Sequence, residues 1–359
     1  LLILGTRGLP ASHGGFETFA EELALYLTKN GWKVTVYNQE YGFFKKYESN
    51  YKEIDRIHIK VPINGPVSTL VFDFLSVMDS ITKDGVVMTL GYNSAVFNIL
   101  NFLKGQKNII NMDGIEWKRD KWGSLAKAWF WFNEMIARKI GTYLIADNPE
   151  IENHICRFKK MENVKMIPYG ANEPTNYSEE LLENYGLKRN NYCLIVARLE
   201  PENSILQAVK AFSKNHRGIK LVIVGHIDRK NRYHRKLLSE SSSEVKFLGT
   251  IYKQSNIETL RVFSKFYFHG HTVGGTNPSL VEAMACKNNV IANDNVFNRW
   301  VLGENAFYFK TFDELEILFD VHLNDVNYNK FSENIFLRYK KFFKWKKILE
   351  EYKFFLNNI

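Results

Sequence analysis

Phe266-Tyr267-Phe268-His269-Gly270-His271-Thr272-Val273-Gly274-Gly275-Thr276-Asn277-Pro278-Ser279-Leu280-Val281-Glu282-Ala283-Met284-Ala285 reads as three consecutive elements. Phe266–Phe268 is a short apolar run of strand type, a glycine-rich loop follows, and Pro278 stands in the first turn of a helix, where its missing N–H is no loss. A strand feeding a helix through a tight loop is the repeating unit of a parallel α/β sheet. The loop and the helix start also offer backbone N–H groups that suit a phosphate. Glu282 lies about one turn into the helix, among Leu280, Val281, Ala283, Met284 and Ala285. There a carboxylate can accept both hydroxyls of a ribose. His269 and His271 are two residues apart and have no third metal ligand near them, so a cleft-lining or structural role is the better reading.

The same unit recurs outward in both directions. Upstream, Leu1–Leu4, Lys33–Tyr37, Ile57–Val61, Val86–Leu90, Asn108–Asn111, Tyr143–Ala146 and Val164–Ile167 read as buried strands with helical patterns between most of them. Alternation pauses from Pro168 to Asn191, a Pro- and Gly-containing polar stretch typical of an interdomain connection. It resumes at Tyr192–Ala197, Lys220–Val224, Val245–Leu248, Phe266–Phe268 and Asn289–Ala292. Two α/β domains meeting at a cleft are expected, with ligands at the carboxyl ends of the strands. Lys330–Ile359 forms a long helical pattern rich in Lys and aromatics, which suits packing across both domains ahead of a membrane interface.

Composition agrees with this architecture. A chain of 359 residues, 45% hydrophobic and 24% charged, is globular and long enough for two cores, which excludes disordered, collagenous and disulfide-scaffold classes. Its net charge of +9 favours an anionic partner. Cys156, Cys193 and Cys286 are too few and too scattered for a disulfide framework or a Cys-rich zinc site. No apolar run reaches the roughly 18 to 20 residues of a spanning helix, and signal-peptide features are lacking. The expectation is a cytoplasmic protein able to lie on the inner face of the plasma membrane.

Three further stretches carry chemistry. Gly5-Thr6-Arg7-Gly8-Leu9-Pro10 and Ser12-His13-Gly14-Gly15-Phe16-Glu17 follow the first strand and open a helix, but their spacing departs from the dinucleotide fingerprint, which disfavours a nicotinamide enzyme. A ligand loop is the better reading; a tight turn with Glu17 complementing the helix dipole is the other. Asn111-Met112-Asp113-Gly114-Ile115-Glu116-Trp117-Lys118-Arg119 places carboxylates at a strand's carboxyl end. Asp113 there is either a hydroxyl-facing carboxylate or an Asx-turn residue, and Glu116 and Arg119 are spaced to pair on a helical turn. Arg198, leaving the strand of Ile195-Val196-Ala197, can grip a diphosphate with its guanidinium fork.

Taken together, Gly-Thr-Arg-Gly-Leu-Pro, Gly-Gly-Phe-Glu-Thr-Phe, Asp-Gly-Ile-Glu-Trp-Lys-Arg, Ala-Arg-Leu-Glu-Pro-Glu-Asn and Gly-Gly-Thr-Asn-Pro-Ser-Leu-Val-Glu-Ala-Met-Ala resemble bacterial rhamnosyltransferases of the retaining glycosyltransferase family 4. The likeness is to the subgroup serving capsule and polysaccharide precursors, and it runs from Leu1 to about Trp345. It implies a GT-B fold: a Rossmann-like acceptor-side domain over 1–168, a Rossmann-like nucleotide-sugar domain over 169–335, and a C-terminal helix over 336–359 packing back toward the first. It implies transfer of L-rhamnose from dTDP-rhamnose to a saccharide on undecaprenyl diphosphate with retention. The alternatives are a glycosyltransferase using another nucleotide sugar, UDP-glucose or UDP-GlcNAc, and a non-catalytic sugar- or nucleotide-binding protein.

By position, Asp113 and Arg198 would be catalytic. Arg7, Gly8, Gly14, Gly15, Arg198, Gly274, Gly275, Thr276, Asn277, Pro278, Ser279 and Glu282 would hold the donor, with Glu17, Glu116, Trp117 and Arg119 on the acceptor side. No cofactor or metal is implied, since the chain contains no Asp-x-Asp, and no nucleic-acid motif appears. Two positions depart from the broad family: Gly274 stands where a second Glu is usual, and Asn203 where a Lys follows the diphosphate Arg. Arg7 and the two helix N-termini are the expected compensation. The basic aromatic stretch from Lys118 to Phe132 suits either anionic lipid or a buried helix.

Overall fold

The computed structural model describes residues 1–12, 14–119, 121–323 and 329–359. These form two compact units: Leu1–Lys118, Trp122–Tyr169 and Trp345–Ile359 make the first, and Arg119–Lys121 with Gly170–Lys344 make the second.

Unit 1 runs β1 (Leu2–Leu4), α1 (Gly15–Lys29), β2 (Thr35–Tyr41), β3 (Lys45–Tyr51), β4 (Ile54–Val61), α2 (Pro66–Ser80), β5 (Val87–Leu90), α3 (Ile99–Leu103), β6 (Asn108–Asn111), α4 (Ser124–Ile140), β7 (Tyr143–Ala146), α5 (Pro149–Cys156) and β8 (Val164–Met166). Its strands lie in the order β3-β4-β2-β1-β5-β6-β7-β8, with every neighbouring pair parallel except the β3–β4 hairpin. The central strands are apolar throughout because both faces are covered. Ile3, Val36, Met88, Ile109 and Ile145 meet Phe19, Leu23 and Leu27 of α1 on one face. On the other, Leu2, Leu4, Tyr37 and Val87 meet Phe72 and Val77 of α2.

Unit 2 runs β9 (Tyr192–Val196), α6 (Ile205–Ser213), β10 (Lys220–Val224), α7 (Arg232–Ser239), β11 (Val245–Gly249), α8 (Gln254–Val262), β12 (Phe266–His269), α9 (Pro278–Ala285), β13 (Val290–Asn293), α10 (Val296–Leu302), β14 (Phe307–Phe309), α11 (Phe312–His322) and α12 (Ser332–Phe342). Its all-parallel sheet has the order β11-β10-β9-β12-β13-β14. Each unit is therefore a Rossmann-like α/β layer structure with its own core, which is the α/β architecture read from the sequence.

Four features differ from that reading. Two strands were missed, β3 and β14, and both are sheet edges. In β3, Lys45, Lys46, Glu48 and Asn50 are exposed, so the segment carries no apolar run to signal a strand. The polar connection is partly structural, since a 3-10 turn over Glu179–Tyr185 seats Leu182 in the core of unit 2. The tail is two helices rather than one. Phe343, fully buried in unit 2, ends α12, and α13 (Trp345–Asn357) packs in unit 1, with Phe19 of α1 lying 5.0 Å from Tyr352 and 6.3 Å from Trp345 between ring centroids.

Candidate active site

In unit 2, the connection from β9 leads outward to β10, whereas β12 lies on the opposite side of β9. Loops leaving two such strands diverge, and the carboxyl ends of β9 and β12 mark the crevice where ligands bind in sheets of this kind. Arg198 and the loop from Gly270 to Asn277 occupy those two ends.

These loops are tied together. The Asn203 side chain donates to the Arg198 carbonyl at 2.8 Å, and the Thr272 N–H and hydroxyl both reach the Glu202 carbonyl at 3.0 Å. A Cβ on Gly270 would lie 2.3 Å from the Asn203 carbonyl oxygen, so only glycine allows this approach. Gly274, at φ +136°, has no atom within 4 Å of where its Cβ would stand, so the loop there opens onto free space. Arg198 is exposed.

Asn277 caps α9 by accepting from the Ser279 N–H at 3.0 Å. The Ser279 hydroxyl bonds the Val196 carbonyl at 2.9 Å and meets the Tyr267 hydroxyl, which locks the helix start onto β9 and β12. Glu282 forms an ion pair with Arg261 through Oε2, while its Oε1 has no hydrogen bond among the described residues. Arg261 is 3% exposed. Burial works against its charge, but Glu282, with smaller help from Tyr267, Cys286 and Glu258, outweighs that and raises its pKa. Thus the Glu282 carboxylate is held from one side, with its second oxygen available. Arg261 is the residue the sequence reading missed; its signal was a guanidinium set between Leu260 and Val262.

Segment Arg119–Lys121 belongs to unit 2. Arg119 pairs with buried Glu202 at 2.9 Å, and Lys121 lies 3.8 Å from the same carboxylate oxygen. Arg119 thus pairs with Glu202, 83 residues along the chain. His269 and His271 stack face to face, with centroids 4.3 Å apart and an interplanar angle of 8°, rather than converging on one point as metal ligands do.

In unit 1, the glycine loop after β1 is held by the protein's own carboxylates. Glu17 is buried and accepts from the Arg7 N–H at 3.0 Å and the Thr6 hydroxyl at 3.4 Å. Glu21 takes the Ala11 N–H at 2.7 Å. Asn38 brackets Leu9, accepting from its N–H at 3.2 Å and donating to its carbonyl at 2.8 Å. A Cβ on Gly8 would stand 2.2 Å from Asn38 Cγ, so that glycine answers to packing. Gly14 is the N-cap of α1 and Gly15 its first residue. The Arg7 side chain is exposed and lines a cavity of about 950 Å³ together with Asn38, Gln39, Arg56, His58 and Ser68.

Past β6, Asp113 adopts a left-handed conformation (φ 48°), and its N–H donates to the Asn111 side chain at 2.9 Å, so the Asx turn belongs to Asn111. The Glu116 N–H donates to the Tyr92 hydroxyl at 2.7 Å, and its carboxylate accepts from Trp122 at 3.2 Å. Trp117 donates to buried Glu134 at 2.5 Å, and Glu134 also binds Arg138 and, at 2.6 Å, His154. The basic aromatic stretch divides: Phe130 is buried and Trp122 packs on it, whereas Leu125, Trp131 and Phe132 are exposed.

Residues 178–318 match the family described as glycosyl transferases group 1, and residues 1–172 match a domain of unknown function, DUF1972. Among solved structures, the chain is similar to a sucrose-phosphate synthase from Thermosynechococcus elongatus, with 16% identity, a TM-score of 0.82, and coverage of 99% of this chain and 98% of that one. It is also similar to HepE from Anabaena in complex with UDP-glucose, with 15% identity, a TM-score of 0.78, and coverage of 100% of both chains. A third is the UDP-forming α,α-trehalose-phosphate synthase from Burkholderia xenovorans in complex with glucose-6-phosphate, with 9% identity, a TM-score of 0.74, and coverage of 99% of both. No curated protein sequence matches the chain. The fold is that of GT-B glycosyltransferases. More particularly, the residues that match the group 1 glycosyl transferases, 178–318, lie within unit 2.

Proposed function

We propose that the chain transfers a hexosyl group, in the first instance L-rhamnose from dTDP-rhamnose, to a saccharide carried on undecaprenyl diphosphate, with retention of configuration. The observation that supports this most is the β12–α9 site: a glycine loop open at Gly274, a capped helix start, and Glu282 paired with buried Arg261 with one oxygen available. In this reading Glu282 accepts the ribose hydroxyls. Gly274, Gly275, Thr276, Asn277, Pro278 and Ser279 line the phosphates and the sugar, and Arg198 grips the diphosphate. Stabilising that departing charge is the main electrostatic demand of the reaction. Arg7, Gly8, Gly14 and Gly15 are the donor-phosphate candidates of unit 1. Asp113 positions the acceptor hydroxyl, with Glu116 and Trp117 supporting its loop. Arg119, an acceptor-side candidate, is held by its pairing with Glu202.

A UDP-sugar donor is the second reading, favoured by the UDP-glucose complex of HepE. The enzyme works as a peripheral protein on the cytoplasmic leaflet, where exposed Leu125, Trp131 and Phe132 and nearby Lys127 suit anionic lipid. Among the described residues no helix is long and apolar enough to cross a membrane.

Thermal-shift screening against dTDP-, UDP- and GDP-sugars is expected to pick out one nucleotide class, since a ligand that binds the folded state stabilises it. Transfer to lipid-linked acceptor is then measured with that donor. Nucleotide binding without transfer to any acceptor would replace this proposal with the non-catalytic reading. Sedimentation with vesicles, with and without anionic lipid, checks the membrane contact.

A further inference from the structure

β12 and the loop after it carry a ladder of rings on alternate residues. Tyr267 and His269 have centroids 6.3 Å apart at 20°, and His269 and His271 are 4.3 Å apart at 8°. Alternate strand residues share a face, so the ladder leads from Tyr267, which meets Ser279 at the start of α9, to His271 in the loop. His269 is 1% exposed, and neither of its ring nitrogens has a hydrogen-bond partner among the described residues; Nδ1 of His271 is likewise buried and unpartnered. A neutral imidazole has one N–H donor and one acceptor, so hydrogen-bonding capacity is buried here without use, a pattern that marks a ligand-facing group.

Charge around His271 comes from several elements. Arg198 stands on the loop after β9, with Glu202 further along it, and Arg119 and Lys121 pair with that carboxylate. Burial first, then Arg119 and Arg198, push the His271 pKa down to about 3, and burial followed by His271 lowers that of His269. On α10, Asn295 and Asn298 bond the His271 carbonyl, and Arg299 is already paired with Asp294 and Glu304. On α9, Glu282 is paired with Arg261. Among the described residues, the charges that act on the His271 ring are therefore those of Arg119 and Arg198. Asn203, where a Lys would serve, is committed to the Arg198 carbonyl.

We propose that His271 is a ligand of the nucleotide diphosphate and takes up a proton as that anion binds, with His269 stacked behind it as its positioning residue. This rests on unit 2 being the nucleotide-sugar site. The ring is neutral in the free protein because it is buried and, beyond that, two arginines face it. A diphosphate pairs with those arginines and brings an opposite charge within reach, which reverses the sign of the local field and favours the imidazolium. The missing Lys is thereby replaced by a cation that exists only when its anion is present, which avoids crowding a third fixed charge beside Arg119 and Arg198.

A nucleotide sugar has no group of its own that titrates near neutrality, so protons taken up on binding are the protein's. Calorimetric titration of the full chain with dTDP-glucose and UDP-glucose at pH 6.5, in two buffers of different ionisation heat, is expected to show about half a proton or more taken up per nucleotide. Affinity is expected to tighten about threefold to tenfold between pH 8 and pH 6, following a one-proton linkage in which one pKa unit is a factor of ten. His271→Gln should abolish both the uptake and the pH dependence while still binding more weakly, and His269→Phe, which keeps a stacking ring, should retain the uptake. Equal uptake in wild type and His271→Gln would overturn the inference, as would pH-independent affinity of the wild type, a result that does not depend on the variant folding. Failure of the wild type to bind any nucleotide sugar would remove both this inference and the proposed function; binding without His271-linked uptake would remove this inference alone.

Discussion

The two glycine-rich loops look alike in sequence and differ in construction. In unit 1, Gly8 exists because Asn38 fills the space a side chain would need, and the loop's donors are already spent on Glu17 and Glu21. In unit 2, Gly274 faces nothing within 4 Å, and the nearest carboxylate in α9 is turned against Arg261. A loop that bonds its own carboxylates is rigid but has less electrostatic appetite for a phosphate. The lesson is that glycine content reports backbone freedom, and only the surroundings say whether a neighbour or a ligand uses it.

The sharpest way to break this comparison is to move charge. Arg198→Ala is expected to lower kcat/KM by about 10²–10³, the scale of losing a preorganised partner of developing charge. Arg7→Ala should cost less than about tenfold, because its loop is satisfied internally. Equal losses would give Arg7 and the unit 1 loop as large a share in holding the donor as Arg198. Next in size, Glu282→Ala leaves Arg261 buried without its partner. Urea denaturation should show a loss of about 2–4 kcal/mol, somewhat reduced from the fully buried case because Glu282 is partly exposed. The double change Arg261→Met with Glu282→Leu should recover most of it.

The glycines themselves give the third test. Gly8→Ala must push into Asn38 from a backbone at φ +112° and should destabilise by about 1–3 kcal/mol. Gly274→Ala meets no atom, so its cost is the smaller backbone strain, about 1 kcal/mol, and its main effect should fall on nucleotide affinity.

An effect of similar size lies in unit 1, away from either loop. Burial pushes the Asp73 carboxyl up to about 7, with the hydrogen bond from Ser94 at 2.5 Å pulling the other way. A carboxyl whose folded pKa is raised contributes stability that is complete below its unfolded value, near 4, and is lost as pH rises through about 7. Asp73→Asn should therefore stabilise the protein at pH 8, by about 1–2 kcal/mol after discounting for partial exposure, and flatten stability between pH 4 and 8. Denaturant melts across that range check it.

Much of the fold was legible because central parallel strands are buried on both faces and must be apolar. Runs such as Asn108–Asn111, Tyr143–Ala146 and Lys220–Val224 coincide with β6, β7 and β10 for that reason. The edges β3 and β14 escaped because no residue of β3 is buried and only Phe309 of β14 is. The tail read as one helix because its aromatic and Lys pattern continues past Phe343, while the break depends on which core receives Phe343 and which receives Trp345. In the candidate site, Arg198 and Glu282 were visible as charged residues at the ends of apolar elements. Arg261 was not, since a lone Arg on a helix says nothing about the carboxylate it meets twenty-one positions later.

The sequence by itself determined that the chain folds as two α/β units, where their strand-to-helix turns fall, and which turns carry glycine beside charge. Those properties are local, set by hydrophobic period and backbone freedom within a few residues. Tertiary structure alone decided that Glu17 serves its own loop, that Arg119 meets Glu202 and that Arg261 braces Glu282. Each of these joins residues distant in sequence, and electrostatic and hydrogen-bond energies depend on separation and burial, quantities the order of residues does not contain.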